Sequence, residues 1–309
     1  MKIQVSGSVA FDTIMVFEGR FAEQILPDQV QMLNVAFLVP SMRQEFGGCA
    51  ANIAFSLRGL GADVRLLGAI GRDGGPYLDR LVGLGIDCSG VVRRDDCFTP
   101  QAFITTDLDD NQITAFHPGA MNHAQEAQVL SVAGLGIVAP NGKAAMLAHA
   151  MQFHEQAIPF IFDPGQALPV FEPHELEALI HQATWVAVNA YEGEMLSRRT
   201  GQTLETLAGW LKPHPQGGLV MTQGAAGAVV LHQGVRVSIP AVPVEVAVDP
   251  TGCGDAFRAG LLSGLSRGAG LLDAVEMGVV VGAIKIQSRG GQNHEISETI
   301  LRNALSQHN

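Results

Sequence analysis

Short apolar runs and longer amphipathic stretches alternate along the chain, and their periods separate strands from helices. Residues 3–9 read as a first buried strand, ending in Gly7-Ser8-Val9-Ala10-Phe11-Asp12. From Phe46 the spacing changes: Ile53, Leu57 and Leu60 recur on one face, which predicts a helix to about Leu60. A strand over 64–70 and an amphipathic helix over 76–84 follow. From 135 onward the alternation is regular: strand 135–139 and helix 143–156, strand 159–163 and helix 172–181, strand 185–188 and a helix start at Asn189. Another strand enters the glycine-rich stretch 220–227, and the alternating valine run 242–248 reads as a further strand. The helical spacing of 256–262 and 271–287 closes the pattern. A βαβα rhythm of this kind implies a parallel sheet covered by helices on both faces. No composition break divides it, so a single α/β domain over 1–309 is expected.

Two segments depart from that rhythm. Residues 13–40 are mixed, with Phe17, Phe21 and Phe37 but no long helical period, and read as short strands and loops. Residues 99–106 and 111–116 are β-rich around the polar turn Asp107-Leu108-Asp109-Asp110-Asn111, the composition of a hairpin. Together, segments of about 12–45 and 95–120 would form a small β-sheet lid over Asp12, which falls just past the carboxyl end of the first strand. Ligands of open α/β sheets bind at that edge.

Composition narrows the function classes. The 309 residues include 47% hydrophobic residues and 36 glycines, enough for a sizeable core with tight turns. No apolar run approaches the roughly 18–20 residues of a membrane span, and the N-terminus enters a strand pattern directly, without a signal peptide. The four cysteines (Cys49, Cys88, Cys97, Cys253) are scattered, without zinc spacing, and read as reduced thiols of a cytoplasmic protein. A net charge of −11 argues against a nucleic-acid surface but not against a nucleotide pocket. Neither a Walker A sequence nor a full dinucleotide fingerprint is present, which disfavours a nicotinamide dehydrogenase. The ten histidines have no metal spacing, and His117, His154 and His294 read as surface or loop residues.

The densest chemistry lies in Val248-Asp249-Pro250-Thr251-Gly252-Cys253-Gly254-Asp255-Ala256-Phe257. Its Gly-x-Gly sits at the start of a buried helix, where unpaired N–H groups and the helix dipole favour an anion. Asp255, in the first helical turn, would be a carboxylate beside a phosphate; a plain capping turn is the alternative. Gly47 and Gly48 stand at another helix entrance, where paired glycines admit a ligand close to the backbone, and Asn52 follows in the first turn. Asn189-x-x-Glu192 suits a capping box as well as a phosphate or metal site. The loop Thr222-Gln223-Gly224-Ala225-Ala226-Gly227 suits a hairpin turn as well as a phosphate loop.

These four motifs, taken in chain order from Gly47 to Asp255, resemble the ribokinase family, the phosphofructokinase B (PfkB) carbohydrate kinases. The resemblance implies a ribokinase-like α/β fold with a β lid, and an enzyme that transfers a phosphoryl group to an alcohol using ATP and Mg2+. It makes Asp255 the general base and Gly252, Cys253 and Gly254 the anion hole, with Cys253 in place of the usual alanine. Asp12, Gly47, Gly48 and Asn52 would hold the substrate's hydroxyls. Asn189, Glu192, Thr222, Gly224 and Gly227 would serve ATP, Glu192 reaching magnesium through water, and Asp249 would border a monovalent cation such as K+. Phe116-His117-Pro118-Gly119-Ala120-Met121 and Phe162-Asp163-Pro164-Gly165-Gln166 look like the adenosine-kinase and nucleoside-kinase branch, which implies a ribonucleoside phosphorylated at its 5′-hydroxyl, with Phe116 near the base. A kinase for ribose, fructose or a sugar phosphate is the alternative. A non-catalytic nucleoside sensor on the same fold is an alternative of another class. A lid that doubles as a dimer clasp occurs in the family, so a homodimer is compatible with the chain.

Overall fold

The computed structural model describes residues 1–25, 34–109, 111–132, 134–211 and 213–308. Residues 26–33 of the mixed segment and Asp110 of the polar turn lie outside the described residues. In chain order the elements are β1 (Lys2–Ser6), β2 (Ala10–Val16), α1 (Phe21–Gln24), β3 (Ser41–Gly47), α2 (Cys49–Gly59), β4 (Asp63–Gly71), α3 (Gly75–Gly83), β5 (Asp87–Arg94), β6 (Gln101–Thr106) and β7 (Gln112–His117). Then come β8 (Leu135–Val138), α4 (Lys143–Glu155), β9 (Phe160–Phe162), α5 (Pro173–Gln182), β10 (Trp185–Asn189), α6 (Ala190–Thr200), α7 (Leu204–Trp210) and β11 (Gly218–Thr222). The hairpin β12 (Ala228–His232) and β13 (Val235–Ile239) precedes α8 (Cys253–Ser266), α9 (Leu271–Lys285) and α10 (Glu298–His308).

A nine-stranded sheet runs β13-β12-β11-β10-β9-β8-β1-β4-β5, parallel except for the β12–β13 edge. Its strands alternate between two buried faces. Ile3, Val5, Val64, Leu66, Ile137, Ile161, Ala187 and Val220 share one core with residues of α2, α3, α8 and α9. Phe160, Phe162, Val186, Val188, Leu219 and Met221 share a second core with residues of α4, α5, α6 and α7. Because both faces are covered, the strands read as apolar runs rather than as half-polar alternation.

A separate four-stranded sheet, β3-β2-β6-β7, is antiparallel except for the β2–β6 pair. Phe11 and Phe46 tie it to the main body, their rings 5.4 and 4.6 Å from that of fully buried Tyr77 on α3. The hairpin turn is pinned by Asp107, whose carboxylate accepts the N–H groups of Phe21, Asp109 and Asn111.

Three sequence expectations change. The valine run 242–248 is not a strand: Pro240 and Pro243 carry no N–H for a ladder, and Val246 and Val248 face solvent. The first strand ends at Ser6, so Asp12 does not follow directly on its carboxyl end but lies inside β2 of the small sheet. His294 is not a surface residue. The segment after α9 folds back on α2, where His294 is 3% exposed, hydrogen-bonded to Ser56 and edge-on to Phe55.

Candidate active site

Two helix starts meet at the carboxyl edge of the main sheet. At the first, Gly252 caps α8 with φ of 76°, a left-handed conformation that glycine adopts freely. A Cβ there would also stand 3.0 Å from the Gly291 Cα. The Cys253 amide donates to the Pro250 carbonyl (3.1 Å). Among the described residues, the Gly252, Gly254 and Asp255 amides have no acceptor in the protein, so these three are the donors open to an anion. At the second start, Gly48 caps α2 with φ of 89°, and a Cβ on it would fall 2.5 Å from the Ser8 carbonyl. That close passage lays the Gly47-Gly48 backbone against the β1–β2 crossing and aims Asn52 inward.

Asn52 joins the two starts. Its Nδ2 donates to Asp255 Oδ2 (2.8 Å), and its Oδ1 accepts from Gln292 Nε2 (3.0 Å). Gln292 also donates to the Tyr77 hydroxyl and accepts from Arg80 Nη1 (2.7 Å); Tyr77 in turn donates to the Gly47 carbonyl (2.7 Å). The Asp255 carboxylate is therefore hydrogen-bonded, through buried groups, to the Gly47-Gly48 loop. Asp255 is half-buried. Burial pushes its carboxyl up to about 7, while the Asn52 hydrogen bond and the Arg258 charge hold it down. A carboxylate poised near neutrality suits a general base.

Further along the main sheet, the carboxyl edge lines up Asp163, Asn189 and Thr222 at the ends of neighbouring strands, with Asn189 and Thr222 paired in register. Asn189 and Glu192 form a capping box: Asn189 Oδ1 accepts the Glu192 amide and Glu192 Oε2 accepts the Asn189 amide, both at 2.8 Å. Burial, then the Asp163 charge, raises the Glu192 carboxyl. Arg258, one turn beyond Asp255 and 5% exposed, makes a bidentate pair with buried Asp163 (2.8 and 3.1 Å) and donates to the Gly254 carbonyl (3.4 Å). Its guanidinium lies 3.9 Å from Glu192, so one cation links the Gly252 turn to the Asn189–Glu192 cap. Gly224 is exposed beside Thr222, whereas Gly227 is explained by packing, since a Cβ would strike the Ile239 carbonyl at 2.1 Å.

In the small sheet, register places Glu45, Asp12, Ala102 and Phe116 in one row, hence on one face. Phe11 and Phe46 occupy the opposite face, against Tyr77. Asp12 and Phe116 are two strands apart, about 10 Å, with small Ala102 between them. Burial, then Glu45 on the facing strand, pushes the Asp12 carboxyl up to about 6. Gly47 leaves room for it: a Cβ there would meet Asp12 Oδ2 at 2.3 Å.

Among the described residues no group of three or more His, Cys, Asp or Glu could hold a metal ion. A protein cage is thus absent, but the donor set fits magnesium held second-hand: Glu192 uses Oε2 in its cap, leaving Oε1 for an ion's water. Sequence reasoning singled out Asp12, Gly47, Gly48, Asn52, Phe116, Asn189, Glu192, Thr222 and the Gly252–Asp255 turn, but not Arg258, Tyr77, Arg80 or Glu45. A charged residue inside the otherwise apolar 256–262 helix was the available signal for Arg258.

A model of the pfkB family carbohydrate kinases matches residues 8–298. The structure of a Burkholderia thailandensis nucleoside kinase in complex with inosine is 42% identical, with a TM-score of 0.88 over 99% of this chain and 97% of that one. Its complex with ADP-inosine aligns with a TM-score of 0.85 at 43% identity, over 99% of this chain and 95% of that one. The nucleoside kinase of Methanocaldococcus jannaschii is 29% identical over 302 residues, spanning 95% of this chain and 93% of the relative. A fructokinase of Escherichia coli is more distant, 26% identical over 79% of this chain and 86% of its own length. The family match thus runs through both helix starts and the strands between them, and the chain belongs to the pfkB family of carbohydrate kinases, phosphotransferases with a hydroxyl acceptor.

Proposed function

We propose that the chain transfers the γ-phosphate of ATP to the 5′-hydroxyl of a ribonucleoside, with Asp255 as the base. The observation that carries this reading is the Asn52–Asp255 hydrogen bond, which brings the acceptor loop and the anion-binding turn into one site. Asp12 and the Gly47-Gly48 backbone bind the ribose hydroxyls, and Phe116, on the same face as Asp12, lies along the base. Likeness to nucleoside kinases over nearly the whole chain favours a nucleoside over a free sugar.

In this mechanism Asn52 orients Asp255 toward the primary hydroxyl, and Asp255 takes its proton as the oxygen attacks the γ-phosphate in line. The Gly252, Gly254 and Asp255 amides meet the charge that builds on the transferring group, and Arg258 fixes the turn that carries them. Magnesium, reached through water from Glu192 and Asn189, supplies charge neutralisation on the phosphate oxygens when bound. The small sheet serves as a lid whose closure keeps water from the γ-phosphate.

The test is ADP release from ATP and magnesium with adenosine, inosine, guanosine, cytidine, ribose, fructose and fructose 6-phosphate as acceptors. Turnover on nucleosides, with phosphorus NMR placing the product phosphate at the 5′ position, is the expected result. Turnover on free sugars alone would transfer the reading to a sugar kinase. Binding of ATP without any turnover would favour a sensor.

A further inference from the structure

The family resemblance implies a monovalent cation beside Asp249, and the oxygens around that residue show whether an ion fits. Both carboxylate oxygens are taken by amides: Oδ1 accepts from the Thr251 N–H and Oδ2 from the Gly290 N–H, each at 2.8 Å. The Asp249 carbonyl accepts from Lys285 Nζ at 2.7 Å, and the Ser288 carbonyl accepts from the same nitrogen at 3.1 Å. Lys285 is the last residue of α9 and is 0% exposed, a rare state for a lysine. Its stem runs through the protein and its ammonium ends between two main-chain carbonyls from different loops.

A positive charge thus already stands where the carbonyls of the two loops converge, at the carboxyl end of a helix whose dipole favours a cation. An alkali ion placed against the same oxygens would meet that charge within a few ångströms and without water between them. The residues present do not fit an added ion. The clamp also has a target. Val248 and Asp249 donate their amides to the Ile286 carbonyl (2.8 and 3.1 Å). Gly291 backs onto Gly252, whose Cβ position lies 3.0 Å from its Cα. Holding the 248–251 and 288–291 segments together therefore holds the Gly252 turn, and with it the open amides.

We infer that the Lys285 ammonium is the resident cation of this loop, a positioning residue that takes the place of an alkali metal ion and makes the site independent of potassium. For its kinetic arm the inference rests on the proposed phosphoryl transfer; a thermal melt reads the loop without it.

The experiment compares wild type, Lys285→Ala and Lys285→Met in potassium chloride, ammonium chloride and choline chloride at equal ionic strength. Wild type is expected to keep the same rate and the same melting temperature when choline replaces potassium. Lys285→Ala, which opens space at the carbonyls, should lose about ten- to a hundredfold in kcat in choline, the value of one or two charge-assisted hydrogen bonds, with little change in nucleoside KM. Potassium or ammonium should restore part of its rate and raise its melting temperature. Lys285→Met keeps the volume of the stem and should show the loss without the rescue. A wild-type enzyme that needs potassium, or that melts higher in potassium than in choline, overturns the inference even if both variants fail to fold. A folded Lys285→Ala with full activity in choline overturns it as well. Absence of kinase activity in wild type would defeat the functional reading instead, and the melts would still decide the cation question.

Discussion

Replacing Asp255 by Asn separates catalysis from stability at one atom. The amide keeps the shape and can still accept the Asn52 hydrogen bond, but it cannot take a proton. A rate loss of roughly 10²–10⁴ in kcat is expected for removal of a general base. Stability should move the other way. The Asp255 carboxyl rises from its ordinary 3.8 to about 7 in the fold, with burial as the main cause. Between those values the folded chain binds the proton more tightly than the unfolded chain, so stability is lost as pH rises through the window. At about 1.4 kcal/mol per unit the ceiling is about 4 kcal/mol. Asp255 is only half-buried, and solvent screening lowers the expectation to about 1–3 kcal/mol. Urea unfolding should therefore show Asp255→Asn more stable than wild type at pH 8, with the difference closing toward pH 4. The wild-type kcat/KM should fall on the acid side near pH 7, as the base takes up its proton. Near-normal turnover by the variant would remove Asp255 from its role. A stability difference that does not change with pH would refute the buried-charge argument.

Four further outcomes follow from the same contacts. Asn52→Ala deletes the hydrogen bond that favours the charged form of Asp255, so the acid limb of the rate profile should move to higher pH. Phe116→Ala should raise the nucleoside KM by about tenfold, the scale of one lost aromatic contact, and leave the ATP KM unchanged in initial-rate kinetics. Arg258→Met strands buried Asp163 without its partner and should cost about 3–5 kcal/mol in urea unfolding; adding Asp163→Leu should recover much of it. His149 is fully buried: its Nδ1 accepts from the Ser6 hydroxyl, its Nε2 donates to the Ala127 carbonyl, and burial lowers it from 6.5 to about 4. Below pH 6.5 the unfolded chain takes up a proton that the fold refuses, so up to about 3 kcal/mol should be lost on approaching pH 4, and His149→Gln should flatten that loss.

The main sheet was legible because its strands are buried on both faces and its helices on one. Apolar runs and amphipathic stretches then alternate in the sequence as they do in space, and the strands from β8 to β10 and helices from α4 to α6 fall near their expected bounds. What escaped were elements whose period is masked. In β5, Ser89, Arg93 and Arg94 break the apolar run. The β12–β13 hairpin adds antiparallel strands to a parallel sheet, and β13 lies at the edge with three of its five residues exposed. The valine run 242–248 misled for the opposite reason. It has a strand's alternation, but its proline leaves a donor missing and β13 already forms the sheet's edge.

The site divides along the same line. Residues at turns and helix starts were legible, since glycines, a caps-compatible asparagine and an acidic first-turn residue each leave a local mark. The groups that set the charge state of Asp255 leave none. Asn52 reaches it from 203 positions away, Gln292 reaches Asn52 from 240, and the Asp163 that neutralises Arg258 comes from 95. Arg258 and Lys285 sit in helices whose apolar spacing makes a charge look like an excursion to solvent. Yet each is 5% exposed or less, and each ends on oxygens contributed by another segment. A buried cation is stable only with partners of that kind. A lone charge within an otherwise apolar helix, next to a turn with open amides, is therefore a signal in its own right. It marks the place where the fold supplies a cation to hold the turn, here one behind Gly252 and another beside Asp255.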